Sequence, residues 1–128
     1  MATAPNHPRS VLVVEDDRAL NALLADIFDM SGYRVLQAFD GNQAYSLIGQ
    51  EHPDIVTLDL MLPGMLGQDV LRRTKNDPST RNVHFIVVSA WSQSLTDADR
   101  ELADAVFTKP FDVDRMLETA DKLARAGG

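Results

Sequence analysis

Five short apolar runs recur along this chain, each followed by a stretch whose apolar residues repeat at helical spacing. That alternation constrains the fold more than any other feature. The runs are Val11-Leu12-Val13-Val14, Tyr33 to Phe39, Ile55-Val56-Thr57-Leu58, Phe85-Ile86-Val87-Val88 and Ala105 to Thr108. The first, third and fourth are continuous and mostly β-branched, as strands buried on both faces require. The second alternates in part, with Arg34 and Gln37 polar, as an edge strand does. Between the runs, Asp17 can cap a helix with an apolar face of Leu20, Leu23, Leu24, Ile27 and Phe28, ended by Ser31-Gly32. Asp40-Gly41 opens a second helix with Ala44, Leu47 and Ile48 inward. A third holds Val70 and Leu71 and breaks at Asn76-Asp77-Pro78, and a fourth lies around Leu95, Ala98 and Leu102. Asp112 caps the last, whose stripe is Val113, Met116, Leu117, Ala120 and Leu123.

Five strands each followed by a helix predict a parallel sheet with helices on both faces. Right-handed crossovers restrict this to a doubly wound sheet. Six-strand Rossmann and five-strand flavodoxin-like orders both satisfy the rule, and five units favour the second. The expected class is α/β: a doubly wound, flavodoxin-like, five-stranded parallel sheet of order 2-1-3-4-5 with five helices. One domain is expected over residues 10–125, with a frayed leader at 1–9 and a tail at 126–128. A chain of 128 residues has no room for a second domain of ordinary size.

Composition removes several classes of function. There is no cysteine, which excludes thiol catalysis, Cys-bound zinc and iron–sulfur clusters. A net charge of −7 argues against a nucleic-acid surface, which needs clustered Lys and Arg. No apolar run approaches the roughly 18–20 residues of a membrane span, and MATAPNHPRS lacks the apolar core of a secretory signal. A soluble cytoplasmic domain is expected, with no direct nucleic-acid or membrane partner.

In doubly wound sheets the site lies beyond the carboxyl ends of the strands. Here those ends carry Glu15-Asp16-Asp17, Asp59, Ser89-Ala90 and Lys109-Pro110. In the expected order the first and third strands are neighbours, so Glu15, Asp16 and Asp59 should converge. Two carboxylates about 4 Å apart repel by roughly 4 kcal/mol at an effective dielectric near 20. Three in one crevice call for a cation, and a hard ion such as Mg²⁺ suits oxygen ligands and keeps positions open for phosphate. With Mg²⁺ and Lys109 the three negative charges are cancelled, leaving a site able to accept an anion. Singly, each residue reads blandly: Asp16 or Asp17 as a helix cap, Lys109 as a surface lysine, Ser89 as a small polar end. Asp59 is harder to explain, because it follows a buried strand and opens no helix.

Four segments then carry a family resemblance: VLVVEDD at Val11–Asp17, PDIVTLDLMLPGMLG at Pro53–Gly67, FIVVSAW at Phe85–Trp91 and VFTKPF at Val106–Phe111. In order and spacing, over residues 9–125, the chain resembles the receiver domains of two-component response regulators. The resemblance implies that Asp59 is the phosphoacceptor and Asp16 a ligand of Mg²⁺. It implies that Glu15 acts on the metal through water and that Met61 lends its backbone carbonyl. Ser89 and Lys109 match the hydroxyl and the lysine that hold the phosphoryl group. A sensor histidine kinase or phosphotransfer protein would be the donor. An output protein would dock near the fourth helix and fifth strand.

The sequence departs from the family pattern at Val106, where many members have an aromatic switch residue, at Leu102, where a glycine is common, and at Leu66, where an acid is frequent. Ser89, Trp91 and Val106 are the switch positions, and Trp91 with the fourth helix is expected to register activation. The domain is expected to be a signalling module catalysing only its own phosphorylation and slow autodephosphorylation. It is read as a stand-alone receiver or a piece of a longer response regulator with an output domain.

Two other functions compete. An aspartyl-phosphate phosphohydrolase needs a general acid two residues after its nucleophile, where this chain has Met61. A flavin or nucleotide binder needs a phosphate loop after the first strand, where Glu15-Asp16-Asp17 would repel it. His7, His52 and His84 match no metal spacing. Arg72-Arg73-Thr74-Lys75 reads as a solvated helix face.

Overall fold

The computed structural model describes residues 9–127. Its strands are β1 (Ser10–Val14), β2 (Arg34–Ala38), β3 (Ile55–Leu58), β4 (His84–Ser89) and β5 (Ala105–Thr108). Its helices are α1 (Arg18–Met30), α2 (Gly41–Glu51), α3 (Gly67–Asn76), α4 (Asp97–Leu102) and α5 (Val113–Gly127), with one 3-10 turn at Ser92–Ser94. The strands pair in parallel in the order β2-β1-β3-β4-β5, as the alternating pattern predicts. Apart from Arg9 and the helix backbone as far as Gly127, the expected leader and tail lie outside the described residues.

Strand residues alternate between the two faces of the sheet, and each face buries its own layer. Leu12, Val14, Val56, Leu58 and Phe85 pack on Ala44 and Ile48 of α2 and Val70 and Leu71 of α3. Val11, Val13, Ile55, Ile86 and Val88 pack on Leu24 and Phe28 of α1 and Met116, Ala120 and Ala124 of α5. Asp17 and Asp40 cap α1 and α2 through their side chains, satisfying N–H groups that the first turn leaves free. Tyr33, at the entrance to β2, donates its hydroxyl to Asp121 of α5 at 2.6 Å.

Three expectations need correction. Leu23, read as core, is 52% exposed, because α1 needs only the Leu24–Phe28 edge against the sheet. The fourth helix is short, and Ala98 faces solvent while Asp99 is buried instead. Asp99 accepts two hydrogen bonds from Arg72, Nε to Oδ1 and Nη2 to Oδ2, each 2.8 Å, and completes a capping box with Thr96. The basic run on α3 is therefore no simple solvated face. Arg72 grips α4, Thr74 is buried, and Lys75 donates to the carbonyls of Arg81 and Val83. Spacing cannot show this, since a charge run looks the same whether its partners are water or another helix.

Candidate functional site

The parallel register assembles the strand ends. Val14 pairs with Leu58, and Leu58 with Val87, so Glu15 and Asp59 leave neighbouring strands side by side. Ser89 pairs with Thr108, which makes Lys109 the first residue past β5. Backbone bonds extend the alignment: Asp59 N donates to Val14 O and Lys109 N to Ser89 O, both at 3.1 Å. Past β3 the chain turns back tightly into α3. A side chain at Gly67 would collide with the carbonyl oxygen of Asp59, so only glycine allows this approach.

Glu15, Asp59 and Ser89 are buried, whereas Asp16 is exposed. Carboxylate oxygens of Glu15, Asp16 and Asp59 lie within 4.8 Å of one another. Lys109 Nζ bridges two of the acids, donating to Glu15 Oε1 at 2.6 Å and Asp59 Oδ2 at 3.0 Å. Asp59 Oδ1 accepts from Ser89 Oγ at 2.8 Å and from the Met61 N–H at 3.3 Å. Glu15 Oε2 accepts from the Asp17 N–H at 3.1 Å, and Ser89 Oγ from the Trp91 N–H at 3.1 Å. Burial pushes the Glu15 carboxyl up to about 7, against the lowering effect of its bond from Lys109, and the charge of Asp59 adds to the rise. Burial works to lower Lys109, but its bonds to Glu15 and Asp59 outweigh that and raise it, which keeps the ammonium charged.

Lys109 offsets one of three negative charges. A dication would offset the other two, and the donors are all hard oxygens. Oxygens on opposite sides of a Mg²⁺ ion stand about 4 Å apart. The three acids, within 4.8 Å, are thus close to the spacing such an ion needs. They border a cleft of about 510 Å³ whose rim is Met61, Leu66, Ala90 and Trp91. Met61, Leu66 and Trp91 are each about half exposed, an apolar collar around a charged floor.

Of the residues singled out from sequence, Glu15, Asp16, Asp59, Met61, Trp91 and Lys109 line this cleft, and Ser89 touches it through Asp59. Val106 does not line it. That side chain packs on Leu60, Val87 and Leu95, beneath the segment leading to α4. Sequence reasoning missed the Ser92–Thr108 hydroxyl pair, 2.6 Å apart beside Lys109, and the role of Asn21 under the β1 end. Neither has a spacing signature, because each depends on two strands being adjacent.

A doubly wound sheet with an acid cleft for a hard cation and an ammonium beside it defines a class of phosphoryl-handling domain. The family model of the response regulator receiver domain matches residues 11–121, and the chain belongs to that family. It is similar to the sporulation initiation phosphotransferase F of Bacillus subtilis (strain 168), 33% identical over 114 residues covering 88% of this chain and 90% of that one. Among solved structures it is similar to the receiver domain of the Francisella response regulator 1452. That match has a TM-score of 0.85 and 27% identity, covering 95% of this chain and 100% of that one. It is also similar to the response regulator TrrA of Thermotoga maritima, solved in complex with Mg²⁺-BeF. Here the TM-score is 0.81 and the identity 27%, over 90% of this chain and 98% of that one. The chain is accordingly a phosphorelay signalling domain, and Glu15, Asp16 and Asp59 fit the phosphoacceptor site of such domains. Among the described residues no helix is long and apolar enough to cross a membrane.

Proposed function

We propose that Asp59 accepts a phosphoryl group from the phosphohistidine of a sensor kinase or phosphotransfer protein, in a Mg²⁺-dependent reaction within a domain spanning residues 10–125. The observation that carries this reading is the direct grip of Lys109 and Ser89 on the two oxygens of the Asp59 carboxylate. An Asp59 oxygen forms the new O–P bond as the donor's P–N bond breaks, and the imidazole leaves with the electron pair. Lys109 and the Ser89 hydroxyl, already at the carboxylate, are placed to transfer their hydrogen bonds to the incoming phosphoryl oxygens. Asp16, Asp59 and the Met61 carbonyl would hold Mg²⁺, with Glu15 acting through water, and the ion would supply charge neutralisation at those oxygens. The domain acts in the cytoplasm by changing its affinity for an output protein near α4 and β5, with Ser89, Trp91 and Val106 as switch positions. It catalyses no turnover besides its own phosphorylation and slow autodephosphorylation. Met61 offers no proton where a phosphohydrolase keeps its general acid.

Intact-mass analysis after incubation with Mg²⁺ and acetyl phosphate should show one added phosphoryl group. No added mass with any phosphodonor, kinase included, would overturn the reading.

The cation should depend on Asp16. Asp16→Asn is expected to weaken Mg²⁺ binding by about tenfold or more, since loss of even an outer-shell partner costs that much. The metal-free variant should melt higher than wild type, because crowded like charges are relieved. Melting curves with and without Mg²⁺ check both halves, and an unchanged Mg²⁺ response would count against Asp16 as a ligand.

Phosphate lifetime should follow from the apolar collar. Met61 and Trp91 flank the approach to Asp59 and carry no group that orients an attacking water in the manner of a general base. Dephosphorylation is therefore expected to be slow and to accelerate by about tenfold in a Met61→Asn, Trp91→Lys double variant. Trp91 is the single tryptophan, so its emission should report Mg²⁺ and phosphodonor in the wild type. Decay no faster in the double variant would remove this account of lifetime.

A further inference from the structure

Asn21 sits in the first turn of α1, is fully buried, and makes no hydrogen bond to the carboxylate of any of the three acids. Its amide is nonetheless spent on the backbone that carries them. Nδ2 donates to the carbonyls of Glu15 at 3.0 Å and Ala38 at 3.1 Å, with Val13 O at 3.4 Å. Oδ1 accepts from Gln37 Nε2 at 2.8 Å, which fixes which end of the amide faces the carbonyls. The Asn21 N–H donates to the Asp17 carbonyl at 2.9 Å, so the same residue opens the helical ladder. Three elements thus meet at one side chain: the end of β1, the end of β2 and the start of α1.

The consequence falls on Asp16. The Glu15 peptide is held from both sides, its N–H by Ala38 O and its carbonyl by Asn21 Nδ2. That carbonyl belongs to the peptide plane leading into Asp16, so its direction sets how Asp16 leaves the strand. The Glu15 carboxylate has further anchors in Asp17 N–H and Lys109. Among the described residues no hydrogen bond or ion pair holds the Asp16 carboxylate. Its aim depends on its backbone, and that backbone depends on Asn21.

We infer that Asn21 is a positioning residue for the cation site, holding Asp16 and Glu15 in ligating register without contacting the ion. This inference rests on the reading of the acid cleft as a Mg²⁺ site. No side chain of similar size but different chemistry does the same. Leucine takes the amide donor from the Glu15, Ala38 and Val13 carbonyls, of which Ala38 O keeps the Glu15 N–H, and aspartate presents oxygens to oxygens.

Calorimetric titration with MgCl₂ tests it on four proteins. Asn21→Leu should bind Mg²⁺ about tenfold more weakly, the cost found for outer-shell partners. Gln37→Ala removes only the bond that orients the amide, at an exposed position, and should weaken binding by about two- to threefold. Ile48→Val, a core change on the opposite face of the sheet, should lower the melting midpoint and leave Mg²⁺ affinity at the wild-type value. In acetyl phosphate labelling, Asn21→Leu should need more Mg²⁺ for half-maximal rate yet approach the wild-type rate at saturation. Wild-type affinity in a folded Asn21→Leu protein would overturn the inference. Should that variant fail to fold, unchanged affinity in Gln37→Ala does so. An equal loss of affinity in Ile48→Val would reduce Asn21 to general stability and overturn it too. Absence of binding in the wild type would instead bring down the cation reading on which it stands.

Discussion

Asp59→Asn should abolish phosphorylation, with the added mass falling by at least about two orders of magnitude under conditions that label the wild type fully. The asparagine keeps the shape of the side chain and one oxygen for Ser89 or Lys109, but its amide is no nucleophile toward phosphorus. The same change has an electrostatic signature. Glu15 is pushed up to about 7 chiefly by burial, and the Asp59 charge contributes to that rise. Removing the charge should therefore bring the Glu15 titration down, visible in carboxyl NMR of the metal-free protein. Loss of labelling together with this downward movement identifies Asp59 as both nucleophile and neighbour. Persistent labelling of Asp59→Asn would move the acceptor elsewhere.

Arg72→Ala should be the most destabilising change outside the apolar core. Asp99 is 2% exposed, and truncation leaves its carboxylate with Thr96 alone. Breaking a buried pair costs about 3–5 kcal/mol. Because the Arg72 side chain is 45% exposed and water can partly replace it, about 2 kcal/mol is expected here. The effect should depend on pH. The Arg72 bonds outweigh burial, and with the Thr96 bonds they hold Asp99 near 2 against an ordinary 3.8. A depressed carboxyl stabilises the fold above its unfolded value and loses that contribution as pH falls toward its folded one. Some 2 kcal/mol should thus disappear between about pH 4 and pH 2 in the wild type, and much less in Arg72→Ala. Urea unfolding at pH 7 and pH 3 measures this. Parallel pH slopes for the two proteins would show that Asp99 gains nothing from Arg72. Hydrogen exchange should place the loss in α4 and the Ser92–Ser94 turn, whose apolar hold on the sheet is slight.

The strands and their order were legible because each run is continuous or alternating in a way that few other elements tolerate, and β5 falls where the pattern puts it. The acids, Ser89 and Lys109 were legible for a related reason. Parallel pairing places every strand's carboxyl end at one edge, so residues at those ends must meet. What escaped the sequence lies across helices. Asp99 looks like an exposed acid in a polar helix, and only α3 packing beside α4 turns it inward onto Arg72. Ala98 satisfied the apolar spacing, but a six-residue helix has too few turns for periodicity to fix its buried face. Val106 was singled out only as the place of the family's aromatic switch residue, and its packing on Leu60, Val87 and Leu95 needed the neighbouring strand and the turn before α4 to be in place.

The bonds that join Asp59 to Ser89, Asp59 to Lys109 and Glu15 to Lys109 bridge 30, 50 and 94 residues of chain. No fragment that stops short of Lys109 contains the whole cleft, and the last member to leave a ribosome is the lysine that supplies the positive charge. A polypeptide synthesised only as far as β4 holds Asp59 and both neighbouring acids, yet lacks the ammonium that grips the carboxylate. Assembly of the cleft is thereby tied to synthesis and folding past β5. Chains that stop before β5 should not divert phosphate from those that include Lys109.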